Sequence, residues 1–214
     1  MLNLTPAQIL SRLIILLIAL PVHELSHALA ATLLGDDTAR RSGRLTLNPL
    51  AHLDPIGAFM LVIAGFGWAK PVPINPYALE RRSRYGQLLV ALAGPLSNLV
   101  LAILAAVPFR LGLRYFSASA STWLPSLPQF LAYFILINLA LMLFNLLPIF
   151  PLDGEKVLVG ALPPNLARPL ESLRPYGSMI LLGVIVLGRF TALDPLGWLM
   201  GTPLSALFRL LTGS

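Results

Sequence analysis

Long apolar runs alternate with short basic segments along this chain. The first run covers about residues 7–34 and ends at Gly35, Asp36 and Asp37, which is typical of a helix terminus. Two further long runs cover about 87–109 and 130–147, and shorter apolar segments follow at about 179–187 and 196–211. The long runs approach the roughly 20 apolar residues with which a helix crosses a bilayer. The pattern predicts an all-α polytopic membrane protein with about five to six membrane segments.

The stretch between the first and second long runs has a different pattern. Alternation at 45–47, followed by Asn48 and Pro49, predicts a short strand and a turn. The apolar run 56–68 has about 13 residues, which is short for a membrane span. The stretch that follows it is rich in Gly and Pro, so we expect extended or looped chain there. We therefore predict a small re-entrant β-hairpin or loop region after the first helix.

Composition supports a membrane-embedded chain. Of the 214 residues, 57% are hydrophobic and only 11% are charged, whereas a soluble domain has about 25% charged residues. We expect one domain over 1–214, with its core at about 7–155 and C-terminal membrane segments at about 176–211. The net charge of +6 is too small, and too clustered in short loops, to indicate nucleic-acid binding. The absence of cysteine excludes disulfides, Cys-ligated zinc and a Cys nucleophile.

The basic loops indicate orientation. Segments 36–44, 70–84 and 155–174 all carry Lys or Arg, which places them in the cytoplasm, while Arg110 and Arg114 oppose this scheme. With 36–44 and 70–84 on one side, the run 56–68 cannot cross the membrane once. The apolar stretch 9–20 could be taken for a signal peptide, but the helical pattern continues to His27 without a convincing cleavage site. We expect a multi-pass protein, with a prokaryotic plasma membrane as the natural location and the active site toward the cytoplasm.

The segment HELSH at residues 23–27 carries the chemistry. His23 and His27 are four positions apart and therefore lie on one helix face. Two imidazoles so placed can share a metal ion, with Glu24 beside it as a general base. At about 1.5 Å per residue, the eight residues between His27 and Asp36 put the metal roughly 12 Å inside the cytoplasmic end of the helix. We therefore predict a metal site within the membrane.

Catalytic zinc normally takes three protein ligands and one water. Without cysteine, the third ligand must be His52, an aspartate or a glutamate. Asp153 is the best candidate, because the third long run would descend to the cytoplasmic side and bring it to the depth of His27. The alternative for Asp153 is a turn residue before Gly154. His52 could be a ligand, a hydrogen-bond partner of a ligand or a turn residue.

Two asparagines lie in apolar helical runs. Asn98 and Asn145 could join helices by hydrogen bonds, which is a common use of Asn in membranes. Alternatively, their amides could line the site and stabilise an oxyanion or hold the substrate backbone. The alternatives are balanced for Asn145, and the structural one is favoured for Asn98.

These motifs together resemble the site-2 protease family of intramembrane zinc metalloproteases. HELSH in the first span, AGPLSN at 93–98 and NLLPIFPLDG at 145–154 occur in the family's order over roughly 1–155. HLDPIG and GFGWAKPVPIN are similar to its small bacterial and archaeal members, which lack a peptide-binding insert domain. The resemblance implies that His23, His27 and Asp153 bind one catalytic Zn²⁺ ion and that Glu24 is the catalytic carboxylate. Asn145 departs from the family's Asn-Pro pairing, since it precedes Pro148 by three residues.

The resemblance also implies the reaction. It is cleavage of a transmembrane protein or peptide inside the bilayer, often in regulated proteolysis of a signalling protein. A substrate helix must first be extended, and the 44–47 segment or the PVPIN stretch could pair with it by strand addition. Two alternatives are a membrane protein that carries or senses zinc and a protease-like scaffold without activity, although the intact Glu24 argues against the scaffold. The chain has neither a GxSG nor a GxGD motif.

Overall fold

The computed structural model describes residues 5–55, 57, 69–112, 123–191 and 193–213. Within these ranges ten helices can be followed from end to end, and the one β pairing is an isolated antiparallel bridge between Leu53 and Ala69. The helices in chain order are α1 (Pro6–Leu33), α2 (Thr38–Arg41), α3 (Pro49–His52), α4 (Pro76–Arg82), α5 (Gly86–Arg110), α6 (Leu127–Asn145), α7 (Asp153–Ala161), α8 (Pro164–Ser172), α9 (Arg174–Phe190) and α10 (Pro195–Thr212).

Three of these helices, α1, α5 and α6, are long and apolar enough to cross a membrane. Helices α8 and α9 together pass the same test as one span bent by 63°, which would make four. The protein is therefore an integral membrane protein, and its mostly helical fold is confirmed. Within the described residues there are three or four candidate membrane spans, so the predicted count of five to six is not confirmed.

The region after α1 differs from the prediction. Residues 45 and 46 form a bend, and 45–47 is not the short strand that its alternation suggested. Contacts distant in the sequence explain the difference, because the Arg44 guanidinium donates to the backbone carbonyls of Ala51, Lys70 and Pro71 and so holds these segments together without a strand ladder. The predicted re-entrant run 56–68 lies outside the described residues except for Gly57.

Two of the spanning helices begin with the same capping motif. Thr5 and Gln8 at the start of α1 exchange side-chain and backbone hydrogen bonds of 3.0 and 3.3 Å. Ser126 and Gln129 do so at the start of α6. Each box satisfies two N–H groups that a helix start would otherwise leave unpaired, which is costly in lipid.

Helix α5 lies between α1 and α6 and packs against both. Its buried face carries Gly94, Asn98, Ala102 and Ala106, which are spaced four apart and therefore form one stripe in which all but Asn98 are small. Such stripes let helices approach closely in membranes. Ile135, Leu139 and Met142 of α6 pack against the alanines of this stripe.

The outer faces of the same helices remain apolar. Leu13 and Leu17 of α1 and Leu104 of α5 are among the large hydrophobic side chains that stay about half exposed. An apolar outer face suits contact with lipid. The inner face of α1 instead carries both small residues and the polar residues His23, Glu24 and His27. Helix α7 packs on α5 and closes this side of the bundle.

Candidate metal centre

Three side chains from two helices converge beside α5. His23 Nε2 and His27 Nε2 are 3.0 Å apart, and Asp153 Oδ2 lies 3.2 Å from the first and 3.1 Å from the second. All three residues are buried. Among the residues that the structure describes, this is the one group of at least three His, Cys, Asp or Glu side chains close enough to hold a metal ion.

The size of this triangle fits zinc. With bond lengths of about 2.0–2.1 Å and tetrahedral angles, ligand atoms around zinc are roughly 3.3 Å apart. The three observed separations of 3.0–3.2 Å are close to that value. Two imidazoles and one carboxylate also make a set of three ligands that leaves the fourth position for water or substrate.

Hydrogen bonds to the Nδ1 atoms of the two histidines determine which ring nitrogen is free to bind a metal ion. His27 Nδ1 is 2.7 Å from the backbone carbonyl of Val90, which can only accept, so Nδ1 carries the proton. A neutral His27 therefore directs an Nε2 lone pair toward Asp153. His23 Nδ1 is bonded in the same way to Asn98 Oδ1 at 2.7 Å. Acceptor atoms that face one another at this distance repel unless a cation lies between them.

Gly94 makes room for the centre. A Cβ atom at this position would lie 2.6 Å from His23 Nε2 and closer still to His27 Nε2. Both imidazoles are thus in contact with the backbone of α5. Any side chain at position 94 would enter the space of the ligand atoms.

Asp153 reaches the histidines through a turn. Helix α6 ends at Asn145, and α7 begins at Asp153, so the aspartate does not end the third span as predicted but starts the next helix. A carboxylate in the first turn of a helix is favoured by the helix dipole. Gly154 packs against the carbonyls of Leu146 and Leu147, where a Cβ would clash with backbone. Lys156 Nζ lies 4.0 Å from Asp153 Oδ1, the oxygen that faces away from the histidines.

A cavity of about 370 Å³ opens beside this group. Its polar lining includes Glu24, Lys156 and Asn145, and most of the remaining wall is apolar, with Leu20, Val72, Ile74, Leu141, Phe144 and Leu181. Within the described part of the chain, no side chain or backbone group donates a hydrogen bond to the Glu24 carboxylate. Its oxygens therefore remain available to a molecule in the cavity.

One wall of the cavity is the segment between Ala69 and Asn75, which buried charged side chains hold at both ends. Arg44 bonds the carbonyls of Lys70 and Pro71, at 3.2 and 3.4 Å. At the other end Asp36 Oδ2 accepts from the Asn75 N–H at 2.6 Å.

Asp36 also accepts from the backbone N–H of Thr38 at 3.0 Å. Burial raises the pKa of Asp36, but the hydrogen bonds from Asn75 and Thr38 outweigh it and hold the pKa below its ordinary value. Asp36 is therefore ionised in the folded protein at neutral pH. The loop after α1 thus attaches the cavity wall to the helix that carries His23 and His27.

The remaining predicted site residues lie in three different places. Asn145 lines the cavity, with its Nδ2 donating to the Leu141 carbonyl at 3.0 Å. Asn98 is fully buried behind His23 and is not among the residues that line the cavity. His52 is not part of the triad, and its Nε2 donates to the Thr46 carbonyl at 2.8 Å.

One buried polar residue near the site was missed by the sequence analysis. Asn138 of α6 is fully buried, and its Oδ1 accepts from Asn98 Nδ2 at 3.0 Å. The available signal was its occurrence in a membrane span, where a polar side chain is costly and often functional.

Comparisons with known proteins agree with this centre. The model of peptidase family M50 matches residues 111–187. A Bacillus subtilis protein named "Putative zinc metalloprotease YwhC" is 40% identical over 182 residues, which is 85% of this chain and 83% of that protein. A Mycolicibacterium smegmatis protein named "Putative zinc metalloprotease Rip2" is 32% identical over 179 residues, which is 79% of this chain and 64% of that one. No solved structure matches the chain.

These findings define the class of protein. The chain is a metalloprotease with zinc as its cofactor, as the family and the three-ligand group together show. It belongs to peptidase family M50, the site-2 protease family, as its motifs suggested.

Proposed function

We propose that this protein is an intramembrane endopeptidase that hydrolyses peptide bonds within or near transmembrane segments of its substrates. His23, His27 and Asp153 hold the zinc ion in this proposal, and Glu24 is the general base. The observation that carries it is the convergence of three ligand atoms, 3.0–3.2 Å apart, beside a mainly apolar cavity that Glu24 lines.

The depth of the site supports cleavage within the membrane. His27 lies six positions before the end of α1 at Leu33, or roughly 9 Å along the helix axis. His23 lies seventeen positions after the start of α1 at Pro6, or roughly 26 Å along the axis. A helix that crosses a hydrocarbon core of about 30 Å therefore places both histidines inside that core.

The chain supplies the proton transfers. Zinc in this position would polarise a water molecule and the scissile carbonyl. Glu24 lies between the two ligands His23 and His27 on α1 and lines the same cavity, so its carboxylate can take the proton from the water. It can then deliver that proton to the amine that leaves. The apolar cavity wall limits competition from bulk water during these steps.

The segment along the cavity offers a place for an extended substrate. Pro71 and Pro73 have no N–H, whereas the backbone groups of Val72 and Ile74 make no hydrogen bond to any residue that the structure describes. In an extended chain, residues two apart direct their N–H and C=O groups to the same side. A substrate strand can therefore pair with Val72 and Ile74, and both residues line the cavity that contains the metal group.

Co-expression with a tagged library of single-span membrane proteins tests the proposal. We expect wild type to cleave at least one substrate, and Glu24→Gln to lose cleavage while it retains bound zinc. Glu80→Gln is the matched control, since Glu80 is exposed on α4 and its Oε1 accepts from Gln87. Cleavage by the Glu24→Gln protein would refute the assignment of the base.

The alternative of zinc transport has its own outcome. A purified Glu24→Gln protein that moves zinc into liposomes would favour a carrier over a protease. For localisation we propose a prokaryotic plasma membrane with the site near the cytoplasmic face, on the basis of the basic loops at 36–44, 70–84 and 155–174. Accessibility of single cysteines introduced into those loops to a membrane-impermeant thiol reagent tests the orientation.

A further inference from the structure

A line of four hydrogen-bonding groups runs from the backbone of α6 to the metal group on α1. Asn138 Nδ2 donates to the Phe134 carbonyl at 2.9 Å, and Asn98 Nδ2 donates to Asn138 Oδ1 at 3.0 Å. Asn98 Oδ1 is 2.7 Å from His23 Nδ1. Both asparagines are fully buried, and they belong to two different spanning helices.

The donor and acceptor roles along this line are determined by its end at α6, the Phe134 carbonyl. The Phe134 carbonyl can only accept, so Asn138 must present its amide nitrogen to Phe134 and its oxygen to Asn98. Asn98 must then present its nitrogen to Asn138 and its oxygen to His23. An amide oxygen can only accept, so His23 Nδ1 must carry the proton. In the neutral imidazole, which is the form that binds a metal, Nε2 is then left with a lone pair that points toward Asp153, 3.2 Å away.

We propose that Asn138 and Asn98 are positioning residues that set the tautomer and ring orientation of His23 for zinc. This inference rests on the proposed role of His23 as a metal ligand. Neither amide touches the reacting atoms, since Asn98 acts through His23 and Asn138 acts through Asn98. The corresponding partner of His27 is the Val90 carbonyl. A backbone carbonyl can only accept a hydrogen bond, so no further residue is needed to orient it.

A purely structural role is the competing explanation. Amide contacts between membrane helices stabilise their association, and the Asn98–Asn138 bond joins α5 to α6. A structural tie, however, affects only the stability of the fold. The proposed series of hydrogen bonds from Asn138 through Asn98 to His23, called the relay below, also affects zinc affinity. Asn138 acts on His23 only through Asn98.

Zinc affinity of the purified full-length protein, measured by competition with a chromophoric chelator, separates the two roles. We expect Asn138→Leu to weaken zinc binding about 10- to 100-fold, the usual effect of losing a group that orients a ligand. Asn98→Leu should weaken it at least as much. In the Asn98→Leu background, Asn138→Leu should have no further effect, because the relay is already broken.

Two variants control for folding. Asn138→Asp keeps the shape of the side chain, and its neutral carboxyl can accept from Asn98 and donate to Phe134, so zinc affinity should remain within about threefold of wild type. Tyr133→Phe removes another bond between spanning helices, the 3.1 Å contact from Gln8 Nε2, and should leave zinc affinity unchanged. Thermal unfolding of the metal-free proteins measures the structural part separately.

Three results would overturn the relay. One is Asn138→Leu with wild-type zinc affinity, another is additive losses in the double variant, and the third is an equal loss of affinity in Tyr133→Phe. His23→Ala distinguishes this failure from failure of the proposed function. If His23→Ala keeps its zinc, the ligand set itself is wrong, whereas if it loses zinc and the asparagine variants do not, only the relay is wrong.

Discussion

Replacement of Gly94 by alanine perturbs the metal centre with a single methyl group. The added Cβ would lie 2.6 Å from both Cε1 and Nε2 of His23 and would also contact His27 Nε2. Non-bonded heavy atoms are at their optimum at about 3.5–4.0 Å. At least one imidazole must therefore move by about 1 Å.

This displacement is large for a metal site. Ligand distances in a genuine site lie within about 0.2 Å of their usual values, so a shift of 1 Å removes a ligand from coordination range. Loss of a group that merely orients a ligand costs 10- to 100-fold in metal affinity. For Gly94→Ala we expect at least a hundredfold loss in zinc affinity, which is equivalent to about 2.8 kcal/mol.

Gly183→Ala provides the matched control for this substitution. Gly183 lies inside α9, and a Cβ there would meet nothing within 4 Å. Alanine is favoured over glycine in a helix interior by about 1 kcal/mol, so this variant should be neutral or slightly more stable. Zinc stoichiometry, chelator competition and thermal unfolding of the metal-free protein are measured for both variants in the same detergent.

A Gly94→Ala protein that binds one zinc ion with affinity within threefold of wild type would refute the geometry of the centre. The same would follow if the control lost zinc to the same extent. An unfolding temperature of the metal-free Gly94→Ala protein near that of the control would show that the methyl group acts on the ligands and not on the fold.

Three further predictions follow from the site and its cavity wall. Asp153→Ala should reduce bound zinc to background by elemental analysis, while Asp37→Ala, whose side chain makes no capping bond, should retain it; undiminished zinc in the first variant would exclude Asp153 as a ligand. Val72→Pro should reduce cleavage at least tenfold with zinc content unchanged, because it removes one of the backbone N–H groups with which a substrate strand is proposed to pair. An unchanged kcat/KM would contradict that pairing. Asp36→Asn should destabilise the metal-free protein by about 1.5–3 kcal/mol at pH 7. Since the pKa of Asp36 is lowered by folding, this difference should be present above about pH 4 and vanish as the pH falls through the folded value, so a pH-independent difference would refute the assignment.

The sequence predicted the elements that depend on local pattern. The ends of α1, α5 and α6 were expected within about three residues, because apolar runs of this length in membranes are set by bilayer thickness. His23 and His27 were expected to lie side by side because residues four positions apart share one helix face, and their Nε2 atoms are 3.0 Å apart. Asp153 required a three-dimensional argument, and the structure places it beside the histidines, although at the start of a helix.

Other features depend on backbone groups and distant contacts. The carbonyl of Val90 and the close approach of Gly94 leave no mark in the spacing of side chains. The segment 45–47 was mistaken for a strand because Arg44 satisfies backbone carbonyls that a ladder would otherwise bond. Asn138 acquires its meaning only from Asn98 on another helix, 40 positions away.

With zinc bound, the proposed metal centre would also be a cross-link between helices. His23 and His27 belong to α1, Asp153 begins α7, and the groups behind the histidines belong to α5. Lipid tails give little hydrophobic driving force for helix association, so a bound ion contributes directly to holding the bundle together. Free zinc at a hundred times its dissociation constant would stabilise the folded chain by about 2.7 kcal/mol. Removal of zinc would therefore take away a tie between three helices together with the catalytic ion.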